Sequence, residues 1–279
     1  CIRDRAGAVE PRLPDVDGLT VGPFLRLALT LPGMPALPEP ADADAAWWDG
    51  PVHDHIDAHL DDVTVRFDTI VVDEGQDFSP RWLGWIERLL DPDGADRLLM
   101  VADPAQDLYD RGFAELDLDR WTRCQLVSNC RNAQQIARLL RRRFGGAAPP
   151  AVGPEAIGLR AVPVGDGDRD ALADAVAGEL HWLLDDEGRD PDRVAVLTFT
   201  GAVRDLLHDR LAPVRWEDHG AGRGLCENVH RVKGLEADTV ILATDRPEDD
   251  AILAVGISRA MSELIVVAPA SVVERMGLA

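Results

Sequence analysis

Asp73 and Glu74 stand side by side where an apolar run ends, in "FDTIVVDEGQDFSP" (67–80), and Asp77 follows within a turn. Adjacent carboxylates of this kind can divide a task. One can hold Mg²⁺, which takes hard oxygen ligands and usually keeps substrate phosphates among them, while its neighbour orients and deprotonates an attacking water. The competing reading is a solvated acidic turn that caps the following helix, a role that suits Asp77 beside Ser79. A second cluster, "HDHIDAHL" (53–60), sets His55 and His59 one helical turn apart, with His53 nearby. That spacing could suit a transition metal, but no further ligand completes a site, so it reads as a solvated polar helix face. Cys124, Cys130 and Cys226 form no C-x-x-C pair, which argues against zinc and a disulfide framework and leaves free, buried thiols.

These residues need a scaffold, and the hydrophobic pattern describes one. A helical pattern over 20–31 breaks at the Pro- and Gly-rich "LPGMPALPEPADADAAWWDG", read as a loop. A helix over 53–60 precedes a strand over 69–72; "PRWLGWIERLL" then repeats apolar residues at helical spacing after Ser79-Pro80, a good start signal. "RLLMVADP" reads as a second buried strand and "CQLVSN" as a third, followed by a helix over 133–143 and the flexible break "GGAAPPAVGP". The rhythm then resumes: a helix over 169–184, the strand "RVAVLTF", a helix over 202–211, an irregular Gly-rich stretch, the strand "DTVILAT", a helix over 251–261 and the strand "ELIVVAP". Alternating strands and helices predict an α/β protein with parallel sheets, in two halves meeting near 121–132. Loops at the carboxyl ends of parallel strands line ligand crevices, which is where Asp73 and Glu74 fall.

Composition limits the partners. The chain has 279 residues, enough for two ordinary domains, and 46% hydrophobic with 28% charged residues marks a globular chain. No apolar run is long enough to span a bilayer and no signal peptide is visible, so the expected location is cytoplasmic and membranes are not expected partners. A net charge of −21 argues against a free-standing nucleic-acid-binding module but leaves room for a local basic groove.

"IVVDEGQDF" resembles the Mg²⁺- and water-binding motif of the UvrD/Rep-type superfamily 1 helicases. Other motifs of that family follow in its order: "LLMVADPAQDLY", "LVSNCRN", "NVHRVKGLEADTVIL" and "AVGISRAMSELIVV". The resemblance spans 69–267 and is best to the compact branch often fused to a nuclease-related domain. It implies two RecA-like parallel-sheet domains of the phosphate-loop NTPase fold, 1–125 and 126–279, with ATP and Mg²⁺ as cofactors and single-stranded DNA as partner. Within that frame Asp73 binds Mg²⁺, Glu74 activates water, and Gln106 senses the γ-phosphate. Arg131 and Arg259 are arginine fingers and Glu236 holds the ribose. Tyr109, Arg111, His230 and Lys233 face nucleic acid. The activity so implied is ATP-driven movement on single-stranded DNA, 3′ to 5′, in repair or in defence against foreign DNA.

The sequence also departs from the family. It contains no Gly-rich loop ending in Lys-Ser/Thr, and Lys233, its one lysine, belongs to a later motif. The resemblance therefore predicts an incomplete first domain, with an N-terminal segment or a partner chain completing the ATP site, and weak ATP turnover by this chain alone. Asn228 stands where the family often has Thr, and "DRGF" replaces an aromatic for base stacking, leaving Arg111 or Phe113 to substitute. The competing function is an ATPase-inactive scaffold that holds a partner such as a nuclease.

Overall fold

The computed structural model describes residues 17–106, 111–113, 119, 121–144, 150–215, 218, 220, 222–232 and 234–278. The chain divides into two compact units, Cys1–Leu116 and Asp117–Ala279. Among the described residues no helix is long and apolar enough to cross a membrane.

The first unit runs α1 (Phe24–Thr30), α2 (Ala45–Asp49), α3 (Pro51–His59), β1 (Thr69–Val72), α4 (Pro80–Leu89) and β2 (Arg97–Met100). α2 falls inside the stretch read as loop; the Asp44 side chain accepts from the Trp47 N–H at 3.0 Å and starts it. α4 begins as expected: Pro80 needs no N–H donor in the first turn, and Ser79 Oγ accepts from the Trp82 N–H at 3.3 Å. Ser79 is thus the cap, and Asp77, read as the capping acid, is buried instead. β1 and β2 pair in parallel, with Val71 opposite Leu99. One face of this pair covers a core of Ala28, Val52, Ile56, Phe78, Trp82, Trp85 and Ile86, in which Phe78 and Trp82 meet edge-on at 5.4 Å. On the opposite face, among the described residues, Val71, Leu99 and Val101 are 64%, 50% and 58% exposed.

The histidine-rich helix face differs from its reading. His53 is buried and its Nε2 accepts from the Trp82 indole N–H at 2.9 Å, because α3 packs this side against α4. His55 bonds the Pro35 carbonyl and His59 bonds Asp62.

The second unit runs α5 (Gln134–Phe144), β3 (Gly158–Val164), α6 (Arg169–His181), β4 (Val194–Thr198), α7 (Gly201–Leu211), β5 (Leu225–Asn228), β6 (Ala237–Ala243), α8 (Asp250–Ser258), β7 (Ala260–Pro269) and α9 (Ala270–Met276). Its strands form one parallel sheet in the order β3-β7-β6-β4-β5. Val196, Ile241 and Ile265 face a core with Leu172, Val176 and Leu207 from α6 and α7. α5 and α8 contact the sheet and each other. β4 and most of β6 and β7 are buried throughout, which is why they read as continuous apolar runs.

Two strands are absent from the sequence reading. Among the named strands β3 pairs with β7 alone and β5 with β4 alone, the outer side of β5 carrying an isolated bridge from Val214 to Leu225, so both are the end strands of the sheet. An edge tolerates Pro163 in β3 and the buried Glu227 in β5, neither of which resembles a core strand. Conversely, "CQLVSN" forms no regular strand: Leu126 is 80% exposed, and the segment makes one isolated bridge, Asn129 to Ala151. High strand propensity without a neighbouring ladder does not make a strand. The helix expected over 251–261 ends at Ser258, and β7 opens at Ala260, leaving Arg259 as the junction. Of the thiols read as buried, only Cys226 is; Cys124 and Cys130 are exposed because their segment joins no sheet.

Candidate functional site

In the first unit the chemistry gathers at the carboxyl ends of β1 and β2. The chain leaves β1 through Asp73, and Glu74 takes a left-handed backbone (φ 54°), which a non-glycine residue adopts at a cost of about 1–3 kcal/mol. The Gly75 N–H then donates to the Val101 carbonyl at 2.8 Å, drawing this loop onto the end of β2. A side chain at 75 has no room, since a Cβ there would lie 2.3 Å from Met100 Cγ.

Fully buried Gln76 links the two strand ends. Its Nε2 donates to Glu74 Oε2 at 2.5 Å, and its Oε1 accepts the Asp103 N–H at 2.9 Å. Asp103 Oδ2 in turn accepts from Gln106 Nε2 at 2.6 Å. Asp73 has other partners: its Oδ1 accepts the Glu74 N–H at 2.9 Å, and its carboxylate is exposed. The two adjacent acids are therefore held differently, one in an amide relay and one in solvent.

Arg111 lies over the Trp82 ring at 4.7 Å and pairs with Asp49 at 3.8 Å, so its planar face already stacks on protein. Phe113 is buried, which removes it as a stacking platform in this conformation. Tyr109 and Lys233 lie outside the described residues.

In the second unit Arg131 and Glu236 are brought together, Nε to Oε2 at 2.8 Å. Asparagines hold Arg131 in place. Asn132 Nδ2 donates to the Ser258 and Ala260 carbonyls at 3.0 and 2.7 Å, while Asn129 Oδ1 accepts the Asn132 N–H at 3.0 Å. The loop carrying Arg131 is thereby fixed to the α8–β7 junction, where Arg259 sits.

Arg259 is 2% exposed; its guanidinium donates to the Val255 and Leu235 carbonyls and to Ser258 Oγ at 3.0, 3.1 and 2.9 Å. Through Leu235 it also braces the residue before Glu236. His230 is exposed, and its N–H donates to Asn228 Oδ1 at 3.0 Å, so the asparagine at the departing position closes the turn. Beneath that turn Glu227, fully buried, accepts from Arg204 at 3.3 Å and Arg231 at 2.9 Å.

No protein-family model and no curated protein matches the chain. One solved structure similar to it is the C-terminal domain of a possible DNA helicase from Lactobacillus plantarum WCFS1. The two are 24% identical over 53% of this chain and 92% of that one, with a TM-score of 0.41. At that level the likeness assigns neither fold nor function.

Sequence reasoning missed the residues that organise these sites. Gln76, Asp103, Asn129, Asn132 and Glu227 carry the positioning hydrogen bonds, and all stand inside or beside the segments already singled out. The available signal was amide and acid side chains next to strand ends in otherwise apolar surroundings, where a polar group must find a partner.

As to metals, among the described residues no group of three His, Cys, Asp or Glu is arranged to hold an ion. Mg²⁺ does not require such a cage, because one or two carboxylates with water and substrate phosphates suffice. The exposed Asp73 carboxylate fits that donor set.

Proposed function

We propose that this chain is the motor core of an ATP-dependent superfamily 1 DNA translocase or helicase that moves along single-stranded DNA, 3′ to 5′. The observation that carries the reading is the relay Glu74–Gln76–Asp103–Gln106, which joins two segments resembling successive helicase motifs through side-chain hydrogen bonds. Glu74, held by Gln76, is the base for the attacking water. Gln106 reports the state of the phosphate to Glu74 through Asp103 and Gln76. Asp73 would hold Mg²⁺, which supplies charge neutralisation at the nucleotide phosphates. From the second unit, Arg131 and Arg259 stabilise charge on the transferred phosphoryl group and Glu236 binds ribose. His230 and Lys233 contact the nucleic acid, and Tyr109 and Arg111 couple it to the relay. Nucleotide binding then requires Arg131 and Glu236 to exchange each other for phosphate and sugar.

One observation favours a second reading, an ATPase-inactive scaffold that holds a partner such as a nuclease: Arg259 is buried and spends its donors on the protein's own oxygens. The deciding experiment is ATP turnover by the natural full-length protein, with Mg²⁺ and with or without single-stranded DNA, beside Glu74→Gln and Arg259→Ala. The motor reading expects DNA-stimulated turnover that falls at least about 10²-fold in Glu74→Gln and about 10³-fold in Arg259→Ala. A wild-type protein without turnover leaves the scaffold.

A further inference from the structure

We infer that the outer side of α5 is a second nucleic-acid contact, a groove that grips the phosphate backbone of single-stranded DNA without reading its bases. The helix "QQIARLLRRRF" buries Ile136, Ala137 and Leu139 and sends Arg138, Arg141 and Arg142 outward, whereas Arg143 is half-buried. With Leu159 of the edge strand β3 it borders an open depression of about 590 Å³, lined among the described residues by Gln135, Arg138, Leu139, Arg141, Arg142 and Leu159. Among the described residues the lining contains three guanidinium groups and no carboxylate.

That is unusual in this molecule. The chain carries −21 overall, and most of its described arginines are spent on Asp or Glu, as in Arg81–Asp57, Arg160–Glu179, Arg193–Asp238 and Arg210–Asp174. Among the described residues Arg141 and Arg142 have no ion pair, and Arg138 bonds the side chain of Gln134. A positive groove on a negative body concentrates an anionic ligand locally and repels it elsewhere.

Arg138 stands three residues before Arg141 and four before Arg142, which places it about 5–6 Å from each, with the adjacent Arg141 and Arg142 flanking its row. Guanidinium forks so spaced suit a row of phosphates, each accepting two hydrogen bonds from one arginine. Among the described residues the lining holds no aromatic ring on which a base could stack, and a contact made by these side chains is to backbone and indifferent to sequence.

An acidic peptide would meet the same charge, and β3 offers an edge to pair with. DNA is favoured because the charge lies along the helix, β3 contributes only Leu159 to the lining, and the choice rests on the translocase reading above. Arginines in a last helical turn also offset the helix dipole. Arg138 lies a turn earlier and falls outside that explanation.

The test is binding of a fluorescein-labelled oligothymidylate to this chain by anisotropy across a series of salt concentrations. Wild type is compared with Arg141→Ser/Arg142→Ser, with Arg141→Lys/Arg142→Lys, and with Arg193→Ser, an arginine paired with Asp238, as a control. The log–log salt slope should become shallower by about 1.4 in the double serine variant, from about 0.7 per lost phosphate contact, and should recover in the double lysine variant. A dipole role alone would move the melting temperature and leave the slope unchanged, which overturns the groove. Preference for polyglutamate over the oligonucleotide, lost in the serine variant, also overturns it in favour of an acidic protein partner. Arg193→Ser should leave the slope intact. A protein without ATP turnover but with an arginine-dependent slope therefore sinks the motor and keeps the groove, whereas normal DNA-stimulated turnover with an unchanged slope does the reverse.

Discussion

Gln76 is the residue whose loss most directly tests the relay. It is fully buried and bonds both Glu74 and the Asp103 N–H, so Gln76→Ala removes one hydrogen bond from each at a cost of about 1–3 kcal/mol. If the relay positions the catalytic base, Gln76→Ala lowers kcat with little change in KM for ATP, and Gln76→Glu fails to rescue because it cannot donate to a carboxylate. A KM effect alone would refute that role. His53 provides a pH signature. Burial first, and the nearby Arg81 charge second, hold its pKa below the ordinary 6.5, so the folded unit keeps it neutral. Above about pH 6.5 both folded and unfolded states are neutral here and its contribution is complete. As pH falls below that value the unfolded chain takes the proton first, and stability is lost until the folded pKa is reached. Denaturant midpoints measured between pH 7 and 5 should fall in wild type and fall less in His53→Gln.

Elements show what could be read ahead and what could not. The strands buried on both faces, β4, β6 and β7, and the amphipathic helix α4 announced themselves because burial imposes an uninterrupted or helically spaced apolar pattern. The edges did not. β3 contains a proline and β5 is only four residues ending in Glu-Asn, so nothing local distinguishes either from a loop; their pairing comes from distant partners. The same limit applies to the site. Asp73, Glu74, Gln106 and Arg131 were visible as motif residues, whereas the Gln76 and Asn132 hydrogen bonds depend on a neighbouring strand end and on a carbonyl far along the chain. β5 carries its own prediction. Glu227 holds Arg204 from α7 and Arg231 from the His230 turn, so Glu227→Ala takes a buried carboxylate from two guanidinium groups and should destabilise the second unit by about 3 kcal/mol. Calorimetry on that variant checks it, and a loss under 1 kcal/mol would show that Arg204 relies on Asp205 instead.

At the scale of the whole molecule, each unit has its own core, one built around Trp82 and Trp85 and the other around Val196, Ile241 and Ile265. Two thermal transitions are expected, with indole fluorescence weighted toward the first unit. A single transition with coincident calorimetric and fluorescence midpoints would contradict that. The outer face of β1–β2 carries an exposed apolar patch of the kind that binds hydrophobic dyes, and replacing Val71, Leu99 and Val101 by threonine should reduce dye fluorescence. The thiols offer a different kind of readout. Cys130, beside Arg131, is exposed, whereas burial pushes the Cys226 thiol up to about 12, so at neutral pH a maleimide reaches the first and is refused by the second. A label at Cys130 places a reporter one residue from the Arg131–Glu236 contact, and the later uptake of reagent at Cys226 becomes a clock for the opening of the five-stranded sheet.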